Sequence, residues 1–187
     1  MVKKEEKEEE RDKQRIVETG KQLLNTIYED EGKNKPILED GGSYLVKKED
    51  SKEGISLALE KIRNDDRGYF LSRRKSERIK EKYHPPRDVI TYYTMDGSSG
   101  KQNFDPSILV HITHSVTDFL EKEGGTAVID GSELLLQKNT FDKFTSFLDN
   151  LVTVTKSEDG ILVVTLDLET VSEPQLEEIK ERLESIF

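Results

Sequence analysis

The sequence predicts an α/β protein: a mainly parallel five-stranded sheet with helices on both faces, preceded by a long charged N-terminal helix. Two observations predict this fold. Apolar runs at residues 126–129 and Ile161–Leu166 lack polar alternation, which is typical of strands buried on both faces of a parallel sheet. Helical segments separate such runs, and regular alternation of strands and helices is typical of this architecture.

The elements follow one another from Ser43 to the end of the chain. Proline marks several boundaries, since Pro85 and Pro86 end one helix while Pro106 and Pro174 begin others. Strands are predicted at residues 43–47, 68–72, 89–95, 126–129 and 161–166. Helices are predicted at residues 51–64, 76–82, 106–123, 133–152 and 174–187.

Three segments are predicted: a helical arm at 1–31, a linker at 32–42 and the α/β domain at 43–187. The arm is rich in Glu, Lys, Arg and Gln, which are good helix formers, and it contains no proline. Ile16, Leu23 and Ile27 belong to a narrow apolar stripe in its second half. Two interpretations remain open: a helix whose second half packs on its own domain, or an arm that folds onto a partner.

Composition excludes several classes of function. The formal net charge of −10 argues against long-range attraction of the whole molecule to nucleic acid, so RNA contact requires a local basic surface or a protein partner. The absence of cysteine excludes disulfides, thiolate zinc sites and a cysteine nucleophile. No apolar stretch approaches the roughly 20 residues of a membrane span, and no signal peptide is evident. We therefore expect a soluble, cytoplasmic protein with no membrane partner.

No phosphate-binding loop is evident in the sequence. The nearest string, residues 97–102 (GSSGKQ), has the wrong spacing and lacks the hydroxyl that would bind Mg²⁺, so a surface turn is expected. The turn after the first strand, residues 48–54, carries three carboxylates that would repel phosphate. Asp130 follows an apolar strand, where a nucleotide hydrolase keeps its metal-binding acid. Without the loop, Asp130 is expected to cap the turn at Gly131 or the next helix. These features predict a protein that is not an enzyme and has no cofactor.

His111, His114 and Asp118 share one face of a predicted helix and are a candidate metal site. A fourth ligand is missing from the nearby sequence, so a packed or solvated pair of histidines is the simpler interpretation and no metal is expected.

Basic residues are concentrated in two places. The stretch from Arg67 to Arg87 forms a positive surface that either meets phosphates or neutralises acids elsewhere on the domain, and Tyr69, Tyr83, Tyr92 and Tyr93 lie near enough to add stacking. The candidate residues for binding RNA or the ribosome are Lys3, Lys4, Lys7, Arg11, Lys13, Arg15 and Lys21 in the arm, and Arg73, Arg74, Lys75 and Arg78 in the domain.

Several short motifs carry a resemblance to a known family. From about Gly42 to Phe187 the chain resembles an archaeal KaiC-like, RecA-type family long described as of unknown function, whose members commonly lack an intact phosphate loop. The motifs are residues 42–46 (GSYLV), 68–73 (GYFLSR), Arg78-Ile79 before Tyr83, 126–135 (TAVIDGSELL) and 139–141 (NTF).

With its charged arm, the whole chain also resembles the archaeal ribosome dimerisation factors, which are hibernation proteins. This resemblance implies a homodimer formed through the α/β domain, with arms that engage the RNA and protein of small ribosomal subunits and block messenger RNA without catalysis. DNA binding is not expected. The alternative is a sensory or signalling domain linked to transcription that binds a small ligand or another protein. A residual nucleotide-binding enzyme ranks third.

Overall fold

The structure is a computed structural model that describes residues 36–63, 67–85, 89–95 and 102–186. Its strands form one sheet in the order β3-β2-β4-β5-β1-β6, and every neighbouring pair is parallel. The strands are β1 (Ser43–Lys47), β2 (Gly68–Ser72), β3 (Ile90–Thr94), β4 (Thr126–Asp130), β5 (Ile161–Leu166) and β6 (Glu184–Ile186).

Helices cover both faces of the sheet, as the sequence predicts. They are α1 (Ser51–Arg63), α2 (Ser76–Tyr83), α3 (Leu109–Glu123), α4 (Glu133–Lys138), α5 (Phe141–Ser157) and α6 (Glu173–Lys180), with a 3₁₀ turn at Leu168–Thr170. On one face Phe70 and Val128 of the strands lie in a core with Ile55 and Ile62 of α1 and Ile79 of α2.

On the other face, Leu71 and Ile129 pack with Ile112 of α3 and with Phe144 and Leu148 of α5. The central strands are therefore buried on both sides, which explains their lack of polar alternation.

Five strands were predicted, and the described residues form six. The terminal helix was predicted to reach residue 187, but α6 ends at Lys180 and β6 follows, pairing with β1 through Leu45 and Ser185. The prediction was wrong because the sequence of β6 carries little strand signal. The strand is short, and Ile186 is its one buried apolar side chain. Pairing with β1, which the local sequence does not reveal, decides its conformation.

Two other helix boundaries differ from the prediction. The helix predicted at 133–152 is divided into α4 and α5, because Asn139 adopts extended backbone angles and Thr140 caps α5 by accepting a hydrogen bond from the amide of Lys143. The helix predicted from Pro106 begins at Leu109. Asp105 instead accepts hydrogen bonds from the amide (2.8 Å) and the hydroxyl (2.6 Å) of Ser107, which holds a turn before the helix.

The predicted N-terminal helix at 1–31 lies outside the described residues. Of the predicted linker, residues 36–42 are described: Leu38 is buried in the same core as Tyr44, and the Tyr44 hydroxyl accepts a hydrogen bond from the amide of Glu39 at 2.8 Å. The chain is thus anchored to the domain before β1 begins.

Gly125 joins α3 to β4 at a point of close backbone approach. Its φ is +92°, and a Cβ placed there would lie 2.2 Å from the carbonyl oxygen of Arg67. The neighbouring amide of Thr126 donates to that same oxygen at 2.9 Å, so the two segments are held too close for any side chain.

Candidate functional site

The carboxyl edge of the sheet is the expected position of a ligand site, because ligands of open parallel sheets bind beyond the carboxyl ends of the strands. Five polar side chains meet there: Lys48 after β1, Ser72 at the end of β2, Asp130 at the end of β4, and Thr165 and Asp167 at the end of β5.

Asp130 is held by both neighbouring strands. The Ser72 hydroxyl donates to Oδ2 at 2.8 Å, and the Thr165 hydroxyl donates to Oδ1 at 3.1 Å. The amide of Gly131 in turn donates to the Thr165 oxygen at 2.9 Å. The expected cap on the turn at Gly131 or on the next helix is therefore replaced by a bridge between β2 and β5. Each carboxylate oxygen has a hydrogen-bond partner within the fold, which ties Asp130 to both neighbouring strands.

Lys48 occupies the turn where a nucleotide-binding fold keeps its phosphate loop. Its ammonium nitrogen lies 2.5 Å from Oδ2 of Asp167. This hydrogen bond raises the pKa of Lys48 and lowers the pKa of Asp167 from their ordinary values. Glu49 is exposed on the same turn, and Glu53 is exposed in the first turn of α1. A lysine already paired, beside exposed carboxylates, does not fit a nucleotide phosphate.

A basic surface follows β2. The side chains of Arg73, Arg74, Lys75 and Arg78 are all exposed, at the carboxyl edge and along α2. Arg73 approaches the buried Glu133, with Nη1 3.6 Å from Oε1. The domain residues predicted to bind RNA are thus grouped together. Their counterparts in the arm (Lys3, Lys4, Lys7, Arg11, Lys13, Arg15 and Lys21) lie outside the described residues.

The tyrosines near the basic stretch divide between two faces of the sheet. Tyr92 lies on the α2 side, where Lys80 stands 5.0 Å from its ring centroid, and Lys82 stands 4.6 Å from the ring of Tyr83. Tyr69 and Tyr93 lie on the opposite face, with stacked rings 4.6 Å apart. They are not part of the basic surface.

A groove of about 690 Å³ lies between β3 and α3. Tyr69, Tyr93, Phe104 and Phe119 give it an aromatic lining, and the Tyr69 hydroxyl donates to Ser115 of α3 at 3.1 Å. Burial raises the pKa of Tyr69 well above its ordinary value, so this phenol keeps its proton. Sequence reasoning missed the groove because its walls come from segments far apart in the chain. The only local signal was the alternation of Tyr92 and Tyr93 to opposite faces.

The prediction that His111, His114 and Asp118 share one face of a helix is confirmed, because all three side chains of α3 line this groove. Both histidines are exposed, and Nε2 of His114 is 3.9 Å from Asp118. Lys122 donates a hydrogen bond to Asp118 at 2.8 Å, and this bond lowers the pKa of the Asp118 carboxyl group. Within the described part of the chain, no three His, Cys, Asp or Glu side chains converge as metal ligands.

The strand order, the uniformly parallel pairing and the helices on both faces define the class: a parallel α/β domain whose fold resembles that of KaiC-like proteins. The flagellar accessory protein FlaH from Methanocaldococcus jannaschii is similar, with a TM-score of 0.60 and 13% identity over 78% of this chain and 70% of that one. A KaiC-like protein from Pyrococcus horikoshii gives a TM-score of 0.55 and 12% identity over 75% and 69%.

The chain belongs to the family described as "Protein of unknown function (DUF835)", whose model matches residues 45–183. None of the curated proteins compared with the chain matches its sequence. Among the described helices, none has the length and apolar character to cross a bilayer.

Proposed function

We propose that this protein is a non-catalytic ribosome-binding factor. It forms a homodimer through its α/β domain, and residues 1–31 of each copy engage a small ribosomal subunit and block messenger RNA binding. The proposed location of the protein is the cytoplasm, where it would meet small ribosomal subunits. The proposal joins two parts, a domain without catalysis and a charged segment that binds RNA and protein, and each has its own support.

The observation that carries the first part is the state of the carboxyl edge. The oxygens of Asp130 accept hydrogen bonds from the hydroxyls of Ser72 and Thr165, and Lys48 is paired with Asp167. In a hydrolase of this fold, equivalent positions hold a metal and a phosphate. Here the hydrogen bonds of Asp130 and the ion pair of Lys48 link neighbouring strands to one another. This structural use of the groups favours a binding role over hydrolysis.

The second part is supported by charge and by the resemblance of the whole chain. The exposed Arg74, Lys75 and Arg78 offer a local positive surface on a protein whose net charge is −10. The segment 1–31 adds interleaved Lys, Arg and Glu, a mixture suited to a surface made of both RNA and protein. Two such segments on one symmetric dimer act as a bivalent clamp, so that modest individual affinities suffice.

Sedimentation of small subunits mixed with the protein tests this function. The full chain is expected to produce a heavier, paired particle, and a chain lacking residues 1–31 is expected to remain a dimer yet lose the pairing. Messenger RNA binding should fall in parallel with pairing. If the truncated chain still pairs subunits, or if the full chain never does, the proposed function is wrong.

A second candidate function rests on the groove between β3 and α3. Its volume of about 690 Å³ and its aromatic lining lie within the range of small-molecule sites. A metabolite that binds a sensory domain of this kind would raise the thermal stability of the domain. Such a domain would have no effect on ribosomes. Melting curves of residues 36–187 with a panel of metabolites separate the two functions, and a shift that requires ATP with Mg²⁺ would instead favour an enzyme.

A further inference from the structure

Aromatic rings form a continuous row along the groove between β3 and α3. The ring of Tyr69 stands between Tyr93, at 4.6 Å, and Phe119, at 5.6 Å, and Phe104 lies 5.2 Å from Tyr93. Tyr69 is buried, whereas the other three side chains are partly exposed. Aromatic rings at such separations attract one another through offset or edge-to-face contacts. The partly exposed rings can therefore accept one further ring, that of a ligand.

Charged side chains line the groove beside the last ring of this row. Asp118 is the neighbour of Phe119 in α3, and Lys122 follows Phe119 at i+3, where side chains of a helix are neighbours with Cβ atoms about 5 to 6 Å apart. An aromatic contact and a charged contact are thus separated by a distance that one amino-acid side chain spans. The groove offers both contacts to a single small molecule.

The charges occur as ion pairs that solvent reaches. Lys122 lies 2.8 Å from Asp118, and Arg67 lies 3.8 Å from Glu123, which also lines the groove. The side chains of Lys122 and Arg67 are 67% and 55% exposed. Exposed ion pairs of this kind contribute little to stability. They can therefore exchange partners at low cost when a charged ligand arrives.

The charge of the ligand decides whether such an exchange leaves a group unpaired. An ammonium group that binds Asp118 displaces Lys122, and a carboxylate that binds Lys122 displaces Asp118. A zwitterion supplies both groups, so both side chains keep a partner. A ligand with one charge separates the pair and replaces only one of the two partners. Electrostatic complementarity therefore favours a zwitterion over either single ion.

The groove is separate from the turn that carries Lys48. Three strands, β2, β4 and β5, stand between β3 and β1 in the sheet, which places these two strands about 19 Å apart. A ligand of the groove would consequently not contact the bridge of Asp130 or the pair formed by Lys48 and Asp167.

We propose that the groove binds a small zwitterion with an aromatic side chain, of the chemical class of the free aromatic amino acids. Its ring packs beside Tyr93 and Phe119, its ammonium group pairs with Asp118, and its carboxylate pairs with Lys122. The inference rests on the second candidate function, to which it gives a ligand class. It does not require ribosome binding.

Tryptophan is a suitable probe, because the chain contains no tryptophan of its own. The fluorescence anisotropy of the free amino acid, excited where tyrosine does not absorb, reports binding to the full chain without protein background. A saturable rise is expected, with a dissociation constant of about 1 mM or lower. Tryptamine and indole-3-propionate carry the same ring with one charge each, and both are expected to bind about threefold more weakly or worse. Alanine, a zwitterion without a ring, is not expected to displace tryptophan.

Two substitutions at the ion pair are expected to reverse this order. Lys122→Met removes the partner of the ligand carboxylate, so tryptamine should bind more tightly than tryptophan. Asp118→Asn removes the partner of the ammonium group, so indole-3-propionate should bind more tightly than tryptophan. Lys143→Met, at an exposed lysine of α5 outside the groove, is the matched control and should keep the wild-type order. Circular dichroism confirms that each variant folds.

Three results would overturn the assignment: no saturable binding of tryptophan, equal binding of the three indole compounds, or an order that neither substitution changes. A different metabolite that raises the melting temperature would leave the second candidate function standing and show that this ligand class is wrong. The pairing of small subunits is measured separately, so its outcome does not decide the ligand, and the ligand does not decide the pairing.

Discussion

The hydroxyl of Ser72 lies 2.8 Å from Oδ2 of Asp130, joining the carboxyl ends of two neighbouring strands. Thr165 completes the arrangement from the other side at 3.1 Å. Three strands are thereby linked at their carboxyl ends, at the edge where open parallel sheets bind their ligands.

Replacing Asp130 removes the centre of the bridge. Hydrogen bonds to a charged group contribute about 1.5 to 3 kcal/mol, and the Ser72 and Thr165 hydroxyls would lose their acceptor. Asp130→Ala is expected to lower the free energy of unfolding by about 2 to 3 kcal/mol, measured by urea denaturation. The exposed Glu169 provides a control, since Glu169→Ala is expected to change stability by less than about 0.5 kcal/mol. Equal stability of the two variants would contradict a structural role for Asp130.

Gly125 and Gly124 form a matched pair with positive φ. A Cβ on Gly124 meets nothing within 4 Å, whereas a Cβ on Gly125 meets the Arg67 carbonyl oxygen at 2.2 Å. Gly124→Ala is expected to cost about 1 to 2 kcal/mol from backbone strain alone, and Gly125→Ala about 3 kcal/mol or more. Thermal and urea unfolding of both variants measure the difference. Equal losses of stability in the two variants would show that the segments at Gly125 and Arg67 can move apart at little cost.

The Lys48–Asp167 pair predicts a dependence of stability on pH. The pKa of Asp167 is lowered in the folded protein, so the pair stabilises the fold fully above the ordinary carboxyl pKa of 3.8 and loses this effect as pH falls through the folded pKa. The stability gap between wild type and Asp167→Asn is therefore expected to be largest near neutral pH and to close on acidification below about pH 4. Urea midpoints of both proteins at several pH values measure it. A gap that does not change with pH would contradict the ion pair.

The basic surface makes a prediction about salt. If Arg74 and Arg78 contact phosphates, Arg74→Ala and Arg78→Ala should each weaken binding to small subunits and reduce the slope of log affinity against log salt concentration by about 1. Both side chains are exposed, so melting temperatures should not change. Lys143→Ala, an exposed lysine on α5, is the control. Unchanged slopes would remove the basic surface from the proposed interface.

Much of the sheet could be predicted from local sequence. The bounds of β1, β2 and β5 match the prediction because Ser43–Lys47, Gly68–Ser72 and Ile161–Leu166 are apolar runs with clear breakers beside them. β6 was missed because its conformation depends on pairing with β1. The division between α4 and α5 was missed because it depends on Asn139, whose side-chain nitrogen Nδ2 donates to the carbonyls of Pro106 and Leu135, both at 2.8 Å.

The sites were less predictable than the strands. The sequence placed Asp130 at a strand end and His111, His114 and Asp118 on one helix face, because both statements follow from local periodicity. The partners of Asp130 and the walls of the groove come from other strands and helices, so they required the three-dimensional pairing. Tyr69 illustrates this, since its ring packs against Tyr93 and Phe119 and its hydroxyl reaches Ser115.

Burial of Leu38 shortens the free segment of chain between the domain and the residues that precede it. A free segment that ended at Ser43 would be five residues longer than one that ends at Leu38, equivalent to about 17 Å of extended chain. Under the proposed function, this burial limits how far from the domain residues 1–31 can reach. Leu38→Asp is then expected to increase the distance between two small subunits paired by one dimer.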